Sequence, residues 1–312
     1  VIVHYHIFKN GGSTLETILQ RQFGTRFARL HGATPESTLD FEDLADFLIE
    51  RREIAAVSSH HLRYPKFAIR RMALFDCCFL RHPLTRLHSV YTYLRGINSS
   101  DSLCLHAHEQ TPREFMQWLL DRFPNIVSNI QVTQLGNAGL FTRPANEADL
   151  ARAIAVLQDM AIPGLVERFD ESLVAAEYFL NPAFPDISLE YAPQNISPRG
   201  ISFQPGISTS DDRQALLREL WGDDIYQELA HLNQLDLALF QRAEDEVLRR
   251  FDLVPGREAR LLDFNRRCLA LRAAVASPSE APANATPVAV EQASSRSQPL
   301  DAARFALNAG AK

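Results

Sequence analysis

Val1-Ile-Val-His-Tyr-His-Ile-Phe-Lys9-Asn10-Gly11-Gly12-Ser13-Thr14-Leu-Glu16 opens the chain, and its reading decides the fold. A β-branched and aromatic run from Val1 to Phe8 reads as a buried strand that stops at a turn signal. A helical pattern follows at once, with Leu15, Ile18, Leu19, Gln22 and Phe23 near one face and Gly24 at its end. Ser13 and Glu16 have the spacing of a capping box, which predicts a helix start at Ser13. Strand, glycine turn and helix N-terminus together form an anion cradle, because the unpaired N–H groups of the first turn and the helix dipole both favour negative charge. Lys9 stands at the strand's end, before the glycines. A Walker A loop has its lysine after them, so this order belongs to a different phosphate-binding chemistry.

The chain has 312 residues, 46% of them hydrophobic, and a net charge of −6. That length supports a full core, and the acidic balance argues against a general nucleic-acid binder. No window approaches the roughly 18 continuous apolar residues of a membrane span, so no membrane segment is expected. Lysine occurs only at Lys9, Lys66 and Lys312, which makes the one in the glycine turn conspicuous. Cys77, Cys78, Cys104 and Cys268 lack metal-ligand spacing and read as buried thiols of a reducing compartment.

A second strand-to-helix junction lies at Ala73-Leu-Phe-Asp-Cys-Cys-Phe-Leu80-Arg81-His82-Pro83, with Ser89 two turns into the helix. Pro83 suits the first helical turn. An arginine at a strand's C-terminal end and a nearby hydroxyl can hold one phosphate between them. Arg86 and Arg95 read as solvated or salt-bridged helix residues. Between the junctions, residues 36–52 read as a surface helix and Ile54–Val57 as a strand, followed by His60 and His61 where α/β proteins place chemistry. Gly96–Thr111 reads as a polar loop, Asp170 as a helix N-cap, and 211–251 as helical, with Leu217 and Trp221 among its core residues.

Taken together, Lys9-x-Gly11-Gly12-Ser13-Thr14 and Leu80-Arg81-x-Pro83-x-x-Arg86-x-x-Ser89-x-Tyr91 resemble the two cofactor signatures of the carbohydrate sulfotransferases. The likeness is to the group that contains the heparan sulfate 2-O- and 6-O-sulfotransferases and their bacterial relatives. It extends through Asn129-x-Gln131 and Val166-Glu-Arg-Phe-Asp-Glu-Ser-Leu173 and covers roughly residues 2–252. Phe8 and Asn10 stand where the family usually has proline and threonine, and His82 where it has aspartate.

The resemblance implies an α/β, P-loop-NTPase-like three-layer fold with a central parallel sheet flanked by helices. It implies transfer of a sulfuryl group from 3′-phosphoadenosine 5′-phosphosulfate (PAPS) to a carbohydrate or other hydroxylated acceptor, without a metal. Lys9, Asn10, Gly11, Gly12, Ser13 and Thr14 would hold the phosphosulfate, and Arg81 and Ser89 the 3′-phosphate, with Arg199 as a further contact. His61 is the expected base and His60 its alternative, while Lys9 would also act in catalysis. The expected division is a catalytic domain over 1–255, a helix over 256–276 and a disordered tail over 277–312. A bacterial cytoplasmic enzyme is expected, or one of the Golgi lumen had an upstream anchor been removed. A kinase-like phosphotransferase and a non-catalytic PAPS- or glycan-binding module are the competing readings.

Overall fold

The computed structural model describes residues 1–34, 37–139, 143–192 and 210–276. Five short strands form one all-parallel sheet: β1 (Ile2–Tyr5), β2 (Phe27–Arg29), β3 (Ala56–Ser59), β4 (Phe75–Leu80) and β5 (Ile162–Leu165), in the order β2-β3-β1-β4-β5. β1 is central, with Val3 level with Val57 on one side and with Asp76 on the other. Successive strands lie on both sides of β1, so the loops at its carboxyl end open into the crevice where α/β folds bind ligands.

Side-chain alternation along the strands explains the layers. On one face Val3, Tyr5, Val57, Cys78 and Leu80 pack against α2 (Phe41–Glu50), α7 (Ile130–Gly136), α8 (Glu147–Asp159) and α12 (Gln234–Asp252). On the other, Ile2, Ala56, Cys77 and Phe79 meet α1 (Gly12–Phe23), α9 (Phe169–Leu180) and α13 (Arg257–Ala276). The fold is thus a three-layer, P-loop-like α/β architecture. A separate helical core joins α3 (Pro83–Arg95), α4 (Ser102–Glu109), α5 (Pro112–Arg122), α10 (Ser210–Trp221) and α11 (Asp223–Leu232), centred on Phe115 and Trp221. The short α6 (Pro124–Val127) leads into α7. No described helix is long and apolar enough to cross a membrane.

Several local expectations are corrected. The segment read as a polar loop contains α4, because the Asp101 carboxylate accepts the Leu103 N–H and starts a helix that buries Leu103, Cys104 and Ala107. Asp170 lies in the first turn of α9 rather than at its cap and accepts a hydrogen bond from the Tyr191 hydroxyl at 2.8 Å. Arg86 is not solvated but 2% exposed, and among the described residues it makes no salt bridge and its buried Nε and Nη2 have no hydrogen-bond partner. All four cysteines are buried free thiols.

Candidate functional site

The opening loop reaches α1 through two left-handed residues, Lys9 (φ 65°) and Gly11 (φ 76°). Gly11 is there because only glycine enters that region without penalty, whereas Lys9 is strained, a feature that gathers at ligand sites. Gly12 has a different reason. A Cβ on it would lie 1.9 Å from the His6 Nε2, so the ring fills the space a side chain would need.

α1 starts at Gly12, with Gly11 as its N-cap and no side-chain cap bond. The expected Ser13–Glu16 capping box is absent because Glu16 turns inward. Its carboxylate accepts hydrogen bonds from His6 Nδ1 (3.0 Å), Ser58 Oγ (2.9 Å) and Arg29 Nε (2.7 Å). Burial pushes the Glu16 carboxyl up, but the hydrogen bonds from His6 and Arg29 outweigh it and hold the group well below the usual range. The Thr14 N–H donates to the Gly11 carbonyl at 3.1 Å, and the first turn of α1 has no side-chain cap, so the N–H groups of Gly12 and Ser13 face an anion best.

The second junction meets the first directly. Arg81 Nη1 donates to the Lys9 carbonyl at 3.1 Å, and its Nε to Thr85 Oγ1 at 3.3 Å. Asn10 is buried, and its Nδ2 donates to the Phe79 carbonyl (2.9 Å) and to Gln131 Oε1 (2.8 Å). That same Gln131 oxygen accepts the Arg81 N–H at 2.9 Å, while Gln131 Nε2 donates to the Arg81 carbonyl at 2.8 Å. One carboxamide therefore fastens both loops. Asn10 is thus a buried brace, its amide held by Phe79 and Gln131, which its place in the motif did not reveal.

Gln131 is fixed in turn by reciprocal capping. The Asp236 carboxylate of α12 accepts the N–H groups of Gln131 (3.1 Å) and Val132 (2.8 Å) at the start of α7. Asn129 Oδ1, just before α7, accepts those of Leu235 and Asp236 at 3.0 Å each. Asn129 has a left-handed backbone (φ 47°), which lets its side chain face the other helix.

The electrostatics are cationic. Lys9 is half-buried, its Nζ 4.0 Å from the Tyr93 ring centroid. Burial, and then the nearby Arg81, lower its pKa to about 8. Burial also lowers Arg81, Glu167 opposes that, and Arg213 of α10 adds to it. Arg213 thus adds to the positive field at Arg81 from α10, outside both loop motifs. These groups fit a polyanionic cofactor: two cations joined through a backbone carbonyl, beside an uncapped helix start, gain from a bound anion. Ser13 and Thr14 occupy the first turn of α1, and Ser89 is half-buried on α3. Arg199 lies outside the described residues.

His60 and His61 follow β3, next to β1 in the sheet. Their ring nitrogens differ. Gly32 N–H donates to His61 Nδ1 at 2.8 Å, so a neutral His61 carries its proton on Nε2. His60 Nδ1 faces the His6 carbonyl at 3.0 Å and must donate, which leaves its Nε2 as an acceptor. Burial first, and then neighbouring His6, keep His60 well below the ordinary histidine pKa and hence neutral. The His60 ring stacks on His6 with centroids 3.7 Å apart, and His6 stacks on His4 at 5.0 Å. Alternating positions in the opening run would have revealed the His4–His6 pairing, whereas the approach of Glu16 depends on the tertiary fold.

No family model matches the chain. It is similar to an uncharacterized protein of Archaeoglobus fulgidus, 25% identical over 251 residues, a match that covers 78% of this chain and 96% of that protein.

Proposed function

We propose that the chain is a PAPS-dependent sulfotransferase that sulfates a hydroxyl group of a carbohydrate acceptor. The observation that carries this reading is the direct meeting of Lys9 and Arg81 at the uncapped start of α1. PAPS, when bound, supplies the sulfuryl group from a phosphosulfate anhydride, whose bridging S–O bond breaks as the acceptor oxygen bonds to sulfur.

Lys9, the N–H groups of Gly12 and Ser13 and the Ser13 and Thr14 side chains stabilise the charge that grows on the departing phosphate oxygen. Arg81, with Ser89, binds the 3′-phosphate and fixes the donor's orientation. The acceptor's proton passes to His60 Nε2, the lone pair left by the bond of Nδ1 to the His6 carbonyl. His61 serves as a positioning residue, holding the Gly32 loop through its Nδ1.

Calorimetric titration with 3′-phosphoadenosine 5′-phosphate (PAP) tests the donor site. Wild type binds one equivalent, and Lys9→Ala and Arg81→Ala each weaken binding at least about tenfold, as expected for loss of a charged hydrogen bond. Absence of binding by wild type, or undiminished binding by both variants, refutes the reading. Transfer of label from radioactive PAPS to a panel of glycans then identifies the acceptor.

A further inference from the structure

Beneath the glycine loop, four donor atoms from three elements converge. His4 Nδ1 lies 2.9 Å from Ser58 Oγ, Ser58 Oγ lies 2.9 Å from Glu16 Oε1, and Glu16 Oε1 lies 3.0 Å from His6 Nδ1. His4 and His6 lie on the same side of the chain as it runs through and past β1, their rings stacked 23° from parallel. His4 is 1% exposed, and the side chains of His6 and Glu16 are 7% and 11% exposed. One donor atom from each of His4, His6 and Glu16 lies within 4.8 Å of the other two.

We propose that His4, His6 and Glu16, with Ser58 or a water completing the set, form a binding site for a divalent first-row transition metal such as zinc. Around an ion about 2.1 Å from its ligands, neighbouring donors lie about 3.0 Å apart in an octahedron and about 3.4 Å apart in a tetrahedron. The chain of contacts already has the octahedral edge, and the outer ligand atoms, within 4.8 Å of one another, stand near the roughly 4.2 Å that separates trans ligands around such an ion. Two imidazoles and one carboxylate suit zinc, cobalt or nickel, whereas magnesium and calcium prefer oxygen alone.

On coordination each imidazole keeps its proton by shifting it from Nδ1 to Nε2, or releases one if it was doubly protonated. The Ser58 hydroxyl hydrogen turns away from Glu16. Arg29 stays on Glu16 Oε2, which leaves Oε1 for the ion and fixes the carboxylate from outside the coordination sphere. The ion would tie β1, β3 and α1 together under the loop. His6 also stacks on His60, but the metal site's test does not use the transfer reaction.

The test uses protein without a polyhistidine tag, titrated calorimetrically with zinc chloride in a non-chelating buffer. One equivalent binds to wild type and to a His106→Ala/His108→Ala control, while His6→Gln and Glu16→Gln each weaken binding at least about tenfold. Zinc-edge absorption fine structure of the wild-type complex shows two imidazoles and an oxygen shell, and this readout stands even if a variant fails to fold. No stoichiometric uptake, uptake unchanged in both ligand variants, uptake lost in the control, or a spectrum without two imidazoles overturns the proposal.

Discussion

The two glycines of the loop answer to different constraints, and substitutions separate them. Gly11→Ala brings a methyl to 3.2 Å from the Phe169 ring and enters the left-handed region, and we expect a loss of about 1–2 kcal/mol. Gly12→Ala drives a methyl into the His6 ring and is expected to cost about 1–3 kcal/mol while displacing His6 from Glu16. Urea unfolding of both proteins measures the costs, and histidine NMR reports whether only Gly12→Ala moves His6. Lys9 gives a pH signature. With its pKa lowered to about 8 in the free protein, it is charged at pH 7 and loses charge as pH rises through 8. PAP affinity should therefore fall between pH 7.5 and 9 by roughly tenfold per unit at the steepest. Lys9→Arg should remove that fall, because guanidinium keeps its charge. His60→Ala should abolish transfer without changing PAP affinity, and single-turnover assays beside PAP titration separate the two effects.

At the scale of elements, the coupling of α7 to α12 governs the site at one remove. Gln131→Ala strips partners from Asn10, the Arg81 N–H and the Arg81 carbonyl, at about 1–3 kcal/mol for each buried group left unpartnered. It should lower the unfolding midpoint and weaken PAP binding although Gln131 lies behind the cradle, and Gln131→Glu, which keeps the acceptor oxygen, should restore part of the affinity. Both strand-to-helix junctions were legible in the sequence because each is local: a β-branched run, a turn residue and a 3.6-residue pattern lie close together along the chain. The strand before the second junction was expected from Ala73 and is observed from Phe75. β2 was missed, since Phe-Ala-Arg is too short to show an alternating period and exists by pairing with β3. The buried state of Arg86 was hidden for the opposite reason: its helix repeat is ordinary, and the Asp236 charge of α12 that acts on it lies some 150 positions further along the chain.

For the whole molecule, the histidines set the response to acid. Burial lowers His4 to about 3 and His82 and His88 to about 4, Arg81 lowering the latter two further, and it keeps His60 well below its ordinary value. A histidine lowered in the folded state binds a proton only on unfolding, so these four take up protons when the chain opens between about pH 4 and 6.5. Stability should therefore rise with pH across that window, by up to about 1.4 kcal/mol per unit for each histidine, and level off above pH 7. Urea midpoints at half-unit intervals measure the slope, and a flat profile would show that these histidines are solvated. The mutual capping of Asn129 and Asp236 also carries a consequence in time. A ribosome would complete every strand of the sheet by Leu165 and still lack the carboxylate that seats Gln131. The nascent chain would hold its glycine loop and Arg81 as separate pieces until α12 emerged, and ligand competence would begin near residue 236 rather than with the sheet.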